Sequence, residues 1–406
     1  KVSYTGVALG GTGAGNYSIA DTAQGKGTIT KRALTLGTVT AQTKIYDGTT
    51  AADAGKFSAA LTNAIAGDSV AATATGAAYN SKDVAGANTV NYTGVALGGA
   101  DAGNYSLDAV AQGTGTITRR ALTFDAVAAQ TKTYDGNTNA DAAQFSATLG
   151  NIVAGEENSV SATAAGATYN DKNVAGANKV SYTGVALGGT GAGNYSIADT
   201  AQGKGTITKR ALTLGTVTAQ TKIYDGTTAA DAGKFSAALT NAIAGDSVAA
   251  TATGAAYNSK NVAAASTIGY TGVALSGADA GNYSLAATTA QGAGTITARE
   301  LTLGTVASQS KTYDGTRAAD ASKFSAALNN AVAGDNVTAA AAGATYNDHN
   351  VAAARTIDYT GVSLGGSDAG NYSLAATAAQ GEGRITPKEL NLALTGGARF
   401  DKTYDG

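Results

Sequence analysis

The sequence predicts an all-β protein, a tandem array of small immunoglobulin-like β-sandwich domains that together form a rod. A five-residue segment, Lys-Ile-Tyr-Asp-Gly at residues 44–48, returns in closely similar form along the whole chain. Each interval between its copies holds roughly six or seven short strand-like runs, with a turn signal about every 8–12 residues. The runs are rich in Thr, Val, Tyr and Ile, which are residues that favour strands.

The repeat sets the expected domain organisation, because a period of this size marks one domain or supersecondary block per unit. The Asp of the segment stands at positions 47, 135, 225, 314 and 405, so the intervals are 88, 90, 89 and 91 residues. Met is absent, so residue 1 is not a translation start and we expect a segment of a longer protein. The predicted units are a partial repeat at 1–33, repeat 1 at 34–121, repeat 2 at 122–211, repeat 3 at 212–300, repeat 4 at 301–389 and a partial repeat at 390–406.

Within repeat 1, the residue pattern predicts strands at residues 34–39, 69–73, 104–107 and 114–118. Residues 89–97 form the most regular run, and its change of phase at Gly94 predicts a β-bulge. Phe57, Leu61 and Ile65 recur at a spacing of four, which is compatible with a short helix or helical turn. A β-grasp unit therefore stays open as the alternative fold, because it would need a helix at that position.

Aromatic rings are the largest apolar groups available to each unit. All 19 Tyr of the chain fall on four positions of the repeat, represented by Tyr46, Tyr79, Tyr92 and Tyr105. Small residues are abundant around them, and a buried ring removes about 150–250 Å² from water, so we predict that these rings form the core. The alternative is a set of surface aromatics that binds a ligand.

The connection between repeats 1 and 2, residues 116–123, contains no Gly, no Pro and no flexible polar tract. This predicts that the last strand of one domain passes almost directly into the first strand of the next, as a short and stiff connection. Residues 1–82 are identical to residues 179–260, which indicates recent duplication of a two-domain block. Copy number, and with it length, is therefore expected to vary.

The Tyr-Asp-Gly triplet has a structural and a chemical interpretation. Asp-Gly favours turns, because Gly accepts a positive φ and Asp can bond its own following backbone. The chemical alternative makes the Asp a calcium ligand, but such a site needs about six to eight oxygens and no run has the spacing of an EF-hand loop. We predict a structural role and no cofactor, with calcium as the open alternative. The repeat-defining residues are Tyr46, Asp47, Gly48, Tyr134, Asp135, Gly136, Tyr224, Asp225, Gly226, Tyr313, Asp314 and Gly315.

A second recurrent motif, Gly-Asn-Tyr-Ser, contains the N-x-S pattern of N-glycosylation acceptors. The pattern is short and common, and Asn is also a natural turn residue. Hydrogen bonding in a turn is therefore the main interpretation, and a glycan is the alternative. The Asn residues of this motif are Asn16, Asn104, Asn194, Asn282 and Asn371.

A Lys stands two residues before the Tyr in every copy of Tyr-Asp-Gly, with Lys44 as the first example. One interpretation is a charge that discourages pairing at a sheet edge. The alternative is an intramolecular amide bond between this Lys and an Asn, which would brace a protein that has no Cys.

Composition disfavours several classes of function. The chain has no Cys and a single His, His349, so a site repeated in every unit lacks the usual nucleophile and base and we expect no enzyme. Net charge is −2 with acids and bases interspersed, which predicts no nucleic-acid partner. No apolar run approaches the roughly 20 residues that span a bilayer, so no membrane insertion is expected.

The order of the motifs resembles a known repeat. Lys-x-Tyr-Asp-Gly-Thr is followed by Tyr-Asn-x-Lys-x-Val, Tyr-Thr-Gly-Val-x-Leu, Ala-Gly-Asn-Tyr-Ser-Leu and Gly-x-Ile-Thr. This resembles the YDG-type repeats of large bacterial surface proteins, such as filamentous-haemagglutinin-like exoproteins and biofilm adhesins. The resemblance implies secretion to the cell surface or extracellular matrix and a part in adhesion or matrix building. It supplies no binding residues.

We therefore expect a structural stalk or filament segment of a secreted bacterial adhesin or extracellular matrix fibre, which gives length and rigidity. The expected partners are neighbouring repeats of the same chain. Two alternatives stay open: repeats that bind a host or matrix glycan with avidity, and a subunit that assembles with other copies into a fibre. Exposed aromatic rings would favour binding repeats, whereas buried rings would favour a spacer.

Overall fold

A computed structural model of the chain describes residues 1–107, 110–391 and 403–405. Over these ranges the protein is all-β, with strands and short 3-10 turns and no α-helix. The predicted fold class, a tandem array of small β-sandwich domains, is confirmed. In the same ranges, no helix has the length and apolar character needed to cross a membrane. Most of the predicted partial repeat at 390–406 lies outside the described residues.

The strands are numbered in chain order, and β1 (Val2–Thr5) and β2 (Thr22–Gly25) lie in the first partial repeat. The first strand of each repeat begins two residues before the predicted start of that repeat, and it is assigned here to the repeat that it opens. Repeat 1 is built from β3 (Arg32–Ala33), β4 (Thr35–Val39), β5 (Gln42–Ile45), β6 (Ala59–Thr62), β7 (Ala71–Thr73), β8 (Gly76–Tyr79), β9 (Thr89–Thr93), β10 (Ala96–Gly98), β11 (Tyr105–Ser106) and β12 (Ala111–Thr118). Repeat 2 is built from β13 (Arg120–Ala121), β14 (Thr123–Val127), β15 (Gln130–Thr133), β16 (Ala147–Gly150), β17 (Ser161–Thr163), β18 (Gly166–Tyr169), β19 (Lys179–Thr183), β20 (Ala186–Gly188), β21 (Tyr195–Ser196) and β22 (Thr200–Thr208).

In repeats 3 and 4 the first two strands merge into one. Repeat 3 is built from β23 (Arg210–Val217), β24 (Gln220–Ile223), β25 (Ala237–Thr240), β26 (Ala249–Thr251), β27 (Gly254–Tyr257), β28 (Thr267–Thr271), β29 (Ala274–Ser276), β30 (Tyr283–Leu285) and β31 (Thr289–Thr297). Repeat 4 is built from β32 (Arg299–Val306), β33 (Gln309–Thr312), β34 (Ala326–Asn329), β35 (Thr338–Ala340), β36 (Gly343–Tyr346), β37 (Thr356–Thr360), β38 (Ser363–Gly365), β39 (Tyr372–Leu374) and β40 (Ala378–Thr386). The 3-10 turns lie at Ala14–Asn16, Ala54–Lys56, Ala102–Asn104, Ala142–Gln144, Ala192–Asn194, Ala232–Lys234, Ala280–Asn282, Ala321–Lys323 and Ala369–Asn371.

Each repeat has two layers, and repeat 1 shows their construction. The larger layer is a four-stranded sheet in the order β5-β12-β9-β8. The first half of β12 pairs antiparallel with β9, and its second half pairs parallel with β5. The other layer consists of shorter pairs, β4 with β6, β3 with β11 and β7 with β10. Repeats 3 and 4 have the same larger sheet, in the orders β24-β31-β28-β27 and β33-β40-β37-β36.

Tyrosine rings supply the core of every complete repeat, as predicted. Tyr79, Tyr92 and Tyr105 are all buried, and Tyr92 is 0% exposed. The ring of Phe57 meets that of Tyr92 edge to face, with centroids 4.9 Å apart. Because the surrounding positions are mostly small residues, these rings and the Val, Ile and Leu side chains beside them form the buried cluster. Three rings of the partial repeats, those of Tyr4, Tyr17 and Tyr404, are exposed.

The centre of the larger sheet requires glycine. Inward positions of β12 are occupied by Ala111, Gly113, Gly115 and Ile117, in strict alternation with exposed residues. A Cβ on Gly115 would lie 2.8 Å from the backbone carbon of Thr89 on the neighbouring strand. Substitution of Gly115 would therefore force the two strands apart, whereas a Cβ on Gly113 would lie 3.0 Å from Val39 Cγ1 in the other layer.

Two expectations about local structure are wrong. Residues 57–65 do not form a helix: a 3-10 turn at Ala54–Lys56 is followed by β6, which pairs with β4. The spacing of four arises because Phe57 precedes the strand and Ile65 follows it. Without a helix there, the β-grasp alternative has no support, and Asp53 caps the 3-10 turn by accepting a hydrogen bond from Gly55 N.

The predicted bulge at Gly94 is also wrong, because residues 89–97 are two strands and not one. β9 belongs to the four-stranded sheet, whereas β10 pairs with β7 in the other layer. Gly94 connects them with φ of +59°, a conformation that glycine adopts without strain. The change of phase therefore marks the point at which the chain passes from one layer to the other.

Backbone contacts divide the chain into two units. Unit 1 comprises Lys1–Lys132, Asn137–Lys172 and Gly176–Ile207. Unit 2 comprises Thr133–Gly136, Asn173–Ala175 and Thr208–Gly406. Unit 1 thus contains repeat 1 with most of repeat 2, and unit 2 contains repeats 3 and 4 with two short internal segments and the last residues of repeat 2.

Candidate functional site at the joints between repeats

The Tyr-Asp-Gly triplet of repeat 1 is part of a turn that a half-buried lysine, Lys44, organises. Lys44 Nζ donates to Asp47 Oδ1 at 2.7 Å and to the carbonyls of Thr49 and Ala51 at 2.8 and 3.0 Å. It also lies 5.3 Å from the ring centroid of Tyr79, within the range of a cation–π contact. Asp47 Oδ1 accepts a further hydrogen bond from Thr49 N at 3.0 Å. Lys44 therefore provides hydrogen-bond donors to one side-chain oxygen and two carbonyl oxygens of the turn.

This network lowers the pKa of the Asp carboxyl. For Asp47, burial acts to raise the pKa, but the hydrogen bonds from Lys44 and Thr49 outweigh it and bring the pKa below its ordinary value. In repeat 4, the hydrogen bond from Lys311 is the largest cause and lowers the pKa of Asp314 to about 2. Gly48, the residue after Asp47, has φ of +77°, a conformation that glycine adopts without strain.

Repeat 2 modifies the same turn, because Asn137 replaces the Thr. Lys132 Nζ donates to the Asn137 carbonyl at 2.8 Å and to its Oδ1 at 3.1 Å. In repeats 1, 3 and 4 the side-chain partners of the Lys Nζ are an Asp and a Thr. The hydrogen bonds of those three lysines go to Asp, Thr and Ala residues, so the amide bond to Asn stays a prediction.

The turn of repeat 1 presents Tyr46 to repeat 2, within unit 1. The Tyr46 hydroxyl donates to Glu156 Oε1 at 2.6 Å, and Tyr195 donates to Glu156 Oε2 at 2.7 Å. The two rings pack edge to face with centroids 5.3 Å apart and planes at 78°. Tyr46 is 1% exposed. A signature residue of one repeat is thus buried against a carboxylate and a tyrosine of the next repeat.

Gly48 packs closely against the same loop of repeat 2. A Cβ at this position would lie 2.9 Å from Val153 Cγ1, so the contact leaves no room for a side chain. Val153 N in turn donates to the Tyr195 hydroxyl at 3.1 Å. Glycine is therefore required twice, for its positive φ and for the approach of Val153.

The Asn of Gly-Asn-Tyr-Ser forms the other side of this contact. Asn194 Oδ1 accepts from Val84 N at 2.9 Å, and its Nδ2 donates to Asp83 Oδ1 at 2.9 Å. Asn194, Asn282 and Asn371 are all buried. Their amide groups bind the preceding repeat, so a glycan on any of them would break this contact. The hydrogen-bonding interpretation applies to these three residues, whereas the equivalent Asn16 and Asn104 are exposed.

We call this set of residues the unit 1 joint: Tyr46, Gly48, Asp83 and Val84 of repeat 1 with Val153, Glu156, Asn194 and Tyr195 of repeat 2. Lys82 adds a charge, with its Nζ 3.7 Å from Glu156 Oε1. Between β12 and β13 only Arg119 is outside a strand, and it donates from Nε to the Gly193 carbonyl at 3.1 Å. The predicted short connection is therefore accompanied by a specific side-chain contact.

Repeats 3 and 4 form the equivalent unit 2 joint, which comprises Tyr224, Gly226 and Val262 with Val332, Asp335, Asn371 and Tyr372. Tyr224 and Tyr372 donate to Asp335 Oδ2 at 2.8 and 2.6 Å. Val262 N donates to Asn371 Oδ1 at 2.9 Å. Unit 2 contains one more set of these contacts, in which Tyr134 and Tyr283 donate to Asp246 Oδ2, at 2.8 and 2.5 Å. The pattern is thus a property of the repeat.

The joints shift the pKa values of their own groups. Burial, together with the hydrogen bond to Glu156, raises the pKa of the Tyr46 hydroxyl. Burial also acts to raise the pKa of Glu156, but the hydrogen bonds from Tyr46 and Tyr195 outweigh it, and the pKa falls below its ordinary value. For Asp335, the hydrogen bond from Tyr372 is the largest cause of a lowered pKa. The joint is therefore built for an ionised carboxylate between two neutral phenols.

Nothing in the described ranges combines three or more His, Cys, Asp or Glu side chains in a group that could hold a metal ion. The Asp47 oxygen that might have served calcium is occupied by Lys44 and Thr49. Each joint carboxylate is likewise engaged by two tyrosines. The chemistry that this arrangement performs is the association of one repeat with the next.

The joint carboxylates were not singled out from the sequence. They occupy one recurrent position, at the end of Asn-Ala-Ile-Ala-Gly-Asp, Asn-Ile-Val-Ala-Gly-Glu and Asn-Ala-Val-Ala-Gly-Asp. The recurrent acid after Gly was the available signal, but its partners lie about one repeat away in sequence: Tyr46 and Glu156 are 110 positions apart. Periodicity marks such positions without showing which of them meet.

A sequence profile of the YDG domain matches the chain four times, at residues 30–113, 118–202, 208–290 and 297–379. Comparison with curated proteins gave no match. Similar solved structures include the protocadherin GammaB4 extracellular domain, at 9% identity and a TM-score of 0.28, covering 86% of this chain and 67% of that chain. They also include human desmocollin-1 (8%, TM-score 0.23, 74% and 67%) and Sidekick-1 immunoglobulin domains 1–5 (8%, TM-score 0.24, 87% and 80%). The four profile matches span most of the sequence, and the chain belongs to the YDG domain family.

Proposed function

We propose that the chain is a structural stalk or filament segment of a secreted bacterial adhesin or extracellular matrix fibre, and that its joined repeats supply length and rigidity. The observation that carries the proposal is the joint itself. Tyr46 and Gly48, which define the repeat, contact the next repeat. A repeat whose signature residues bind its neighbour can be extended by adding copies, with stability that is close to a sum over repeats and interfaces.

Burial of the aromatic rings supports a spacer over a set of binding repeats. Ligand recognition by stacking on aromatic rings, repeated in weak modules, would need exposed rings that recur in each unit. In repeat 1, Tyr46, Tyr79, Tyr92 and Tyr105 are instead all buried. The partners in this proposal are the neighbouring repeats of the same chain, with assembly into a larger fibre as the alternative that the experiment below distinguishes.

The cellular setting of the proposal comes from the family and the order of the motifs. YDG-type repeats of large bacterial surface proteins supply the expectation of export and of a place at the cell surface or in the matrix. The proposal assigns no catalytic step to the chain. Its recurrent carboxylates, such as Glu156, accept hydrogen bonds from tyrosines.

A domain swap in the parent protein tests the proposal. The array is replaced by unrelated rigid immunoglobulin-like domains of equal length, and adhesion or matrix formation is measured. A spacer predicts that function is retained. Loss of function with export intact would contradict the proposal and would mean that the repeats themselves bind a ligand or assemble.

A joint-broken array provides the matched control for that swap. Tyr46→Ala, Tyr134→Ala and Tyr224→Ala together remove the shared ring of three sets of contacts and keep the length in residues. If rigidity matters, this array should lose function although its chain length is unchanged. Retained function in both arrays would restrict the role of the repeats to contour length.

A further inference from the structure

The early strand β5 and the last strand β12 of repeat 1 run side by side in the same direction. They pair in parallel over four positions, with Gln42 opposite Gly115 and Ile45 opposite Thr118. The pairing continues past the strand end, where Tyr46 N donates to the Thr118 carbonyl at 2.9 Å. Repeats 3 and 4 repeat this parallel pairing, β24 with β31 and β33 with β40.

Parallel pairing determines how such strands respond to tension. The N-terminal end of β5 and the C-terminal end of β12 lie at opposite ends of the pair, so a pull on the two chain ends slides one strand along the other. All the hydrogen bonds between them are then loaded together, because the force runs along the strands and displaces every donor from its acceptor at the same time. In an antiparallel terminal pair both ends would lie together, and the bonds would break one after another.

We infer that each repeat is a load-bearing unit, and that the parallel pair β5–β12 is the clamp that resists its extension under tension. The inference rests on the proposed function, because a stalk that carries an adhesive region must transmit the pull on that region. It goes beyond that function, since a spacer needs only length and stiffness, whereas a clamp sets the force at which a repeat opens.

Side chains close the clamp at the end nearest to the next repeat. Thr118 Oγ1 donates to the Lys44 carbonyl at 3.2 Å, and the equivalent Thr297 and Thr386 do the same in repeats 3 and 4 at 3.3 Å. Lys44 is itself held by the turn that it organises. Tyr46 belongs to both the clamp and the unit 1 joint, because its backbone N–H donates to β12 and its hydroxyl donates to Glu156 of repeat 2. Tyr46 therefore connects the joint directly to the clamp.

The topology also predicts the order of events under force. β3 and β4 precede the clamp and are held by separate short pairings with β11 and β6. Residues 32–41 should detach first and release about 35 Å of chain, at about 3.6 Å per residue. Shearing of the clamp then releases residues 42–118 together, which is about 280 Å on the same scale.

Single-molecule pulling on the full chain tests the inference by changing only the direction of force. The chain has no Cys, so introduced cysteines are unique handles. Thr43→Cys with Thr116→Cys places handles on two directly opposed residues of the clamp, and a reductant prevents a disulfide between them. Rupture through these handles should need a force roughly twofold or more lower than rupture through the chain ends, because the bonds are then loaded in sequence. Equal forces in the two directions would overturn the inference.

A proline pair tests the same point without handles. Thr118→Pro removes the backbone donor and the hydroxyl that face β5, whereas Ile45→Pro lies on β5 next to Tyr46, whose N–H faces β12, so the N–H of residue 45 points away from the clamp. The first should lower the rupture force of repeat 1 and the second should not. Loss of force in both variants, or in neither, would overturn the clamp. These measurements use no adhesion assay, so the clamp can fail while the domain swap still supports a stalk, and the reverse also holds.

Discussion

The joints of unit 1 and unit 2 make the same contacts with different carboxylates. Glu156 accepts Tyr46 on one oxygen and Tyr195 on the other. Asp335 accepts both of its tyrosines on Oδ2. The longer side chain thus distributes two hydrogen bonds over two atoms, and the shorter one concentrates them on a single atom. What the two joints share is the position of a negative charge between two buried phenols.

The loops that carry these carboxylates are supported differently. In repeat 4, Asn336 N donates to Asp368 Oδ2 at 2.8 Å, which ties the loop to the 3-10 turn of the joint. In repeat 2, Gly191 occupies the position equivalent to Asp368. There Ser159 N and Oγ both donate to the Glu156 carbonyl, at 2.9 and 2.7 Å, within a longer loop. The two joints therefore share the contact between a carboxylate and two tyrosines, although different hydrogen bonds hold the loop that carries the carboxylate.

The largest predicted effect comes from removing the ring that a joint buries. Tyr224→Ala should destabilise unit 2 by about 3–5 kcal/mol in urea denaturation of the full chain, because it deletes a fully buried aromatic side chain. Tyr313→Ala is the matched control. Tyr313 occupies the same position in repeat 4 and is 37% exposed, and no carboxylate of the described residues accepts a hydrogen bond from its hydroxyl.

Amide hydrogen exchange shows whether Tyr224→Ala weakens the joint or the interior of repeat 3. The Val262 amide, which bonds to Asn371 across the joint, should lose protection in Tyr224→Ala, while Tyr224→Phe should give a smaller loss. The Tyr257 amide, which bonds to Thr228 within repeat 3, should change less. If Tyr224→Ala and Tyr313→Ala lowered the free energy of unfolding by the same amount, the ring would stabilise its own repeat and not the joint.

The two carboxylates should respond unequally to loss of charge. In Glu156→Gln a single amide oxygen faces two phenols that each bond a carboxylate oxygen, so one hydroxyl must turn to accept from the new NH₂ group. Because one hydrogen bond is rearranged and both lose their charge assistance, the expected cost is about 2–3 kcal/mol. Asp335→Asn can keep its carbonyl oxygen toward both tyrosines and should cost about 1 kcal/mol. Thermal or urea denaturation of the two variants measures the difference. A larger cost in Asp335→Asn would mean that the oxygen assignment in one of the joints is wrong.

Sequence reasoning reached the repeat, the fold class and the buried tyrosines because each depends on a local pattern that recurs in register. It failed at residues 57–65 because a spacing of four is ambiguous when a turn separates Phe57 from a strand. The bulge at Gly94 failed for a related reason, since a change of phase does not reveal that the chain changes sheets. The predicted repeat boundaries stay predictions.

The joint was beyond the sequence for a different physical reason. Asn194 matches a glycosylation pattern and also bonds the backbone of Val84, 110 positions earlier. A motif of three residues cannot distinguish these roles, because the partner is supplied by another repeat. Burial is what decides between them, and burial here depends on the contact between two domains.

Acid and alkali should both weaken the joints. The pKa values of Glu156 and Asp335 are lowered in the folded protein, so their contribution to stability is complete above the pKa of the unfolded carboxyl, about 4, and is lost as pH falls through the folded value. The pKa of Tyr46 is raised, so its contribution is complete below about pH 10 and is lost above it. The urea midpoint should therefore be flat between about pH 5 and about pH 9.

The Glu156→Gln variant shows how much of the loss of stability below about pH 5 is due to this carboxylate. Other carboxyls with lowered pKa values, such as Asp47, also lose stabilising contacts in acid. Glu156→Gln should therefore reduce the slope below about pH 5 without abolishing it. An acid slope identical to that of the unmodified chain would show that the carboxylate does not couple the joint to pH.

The smallest predicted effect separates two requirements for glycine. Gly226→Ala and Gly315→Ala both place a side chain at positive φ, of +78° and +81°, and share a strain cost of about 1–2 kcal/mol. A Cβ on Gly226 would also lie 2.9 Å from Val332 Cγ1 in the unit 2 joint, whereas a Cβ on Gly315 meets nothing within 4 Å. Gly226→Ala should therefore cost about 1 kcal/mol more, from overpacking against the next repeat. Equal costs in urea denaturation would mean that the valine moves aside, and that glycine serves the turn alone.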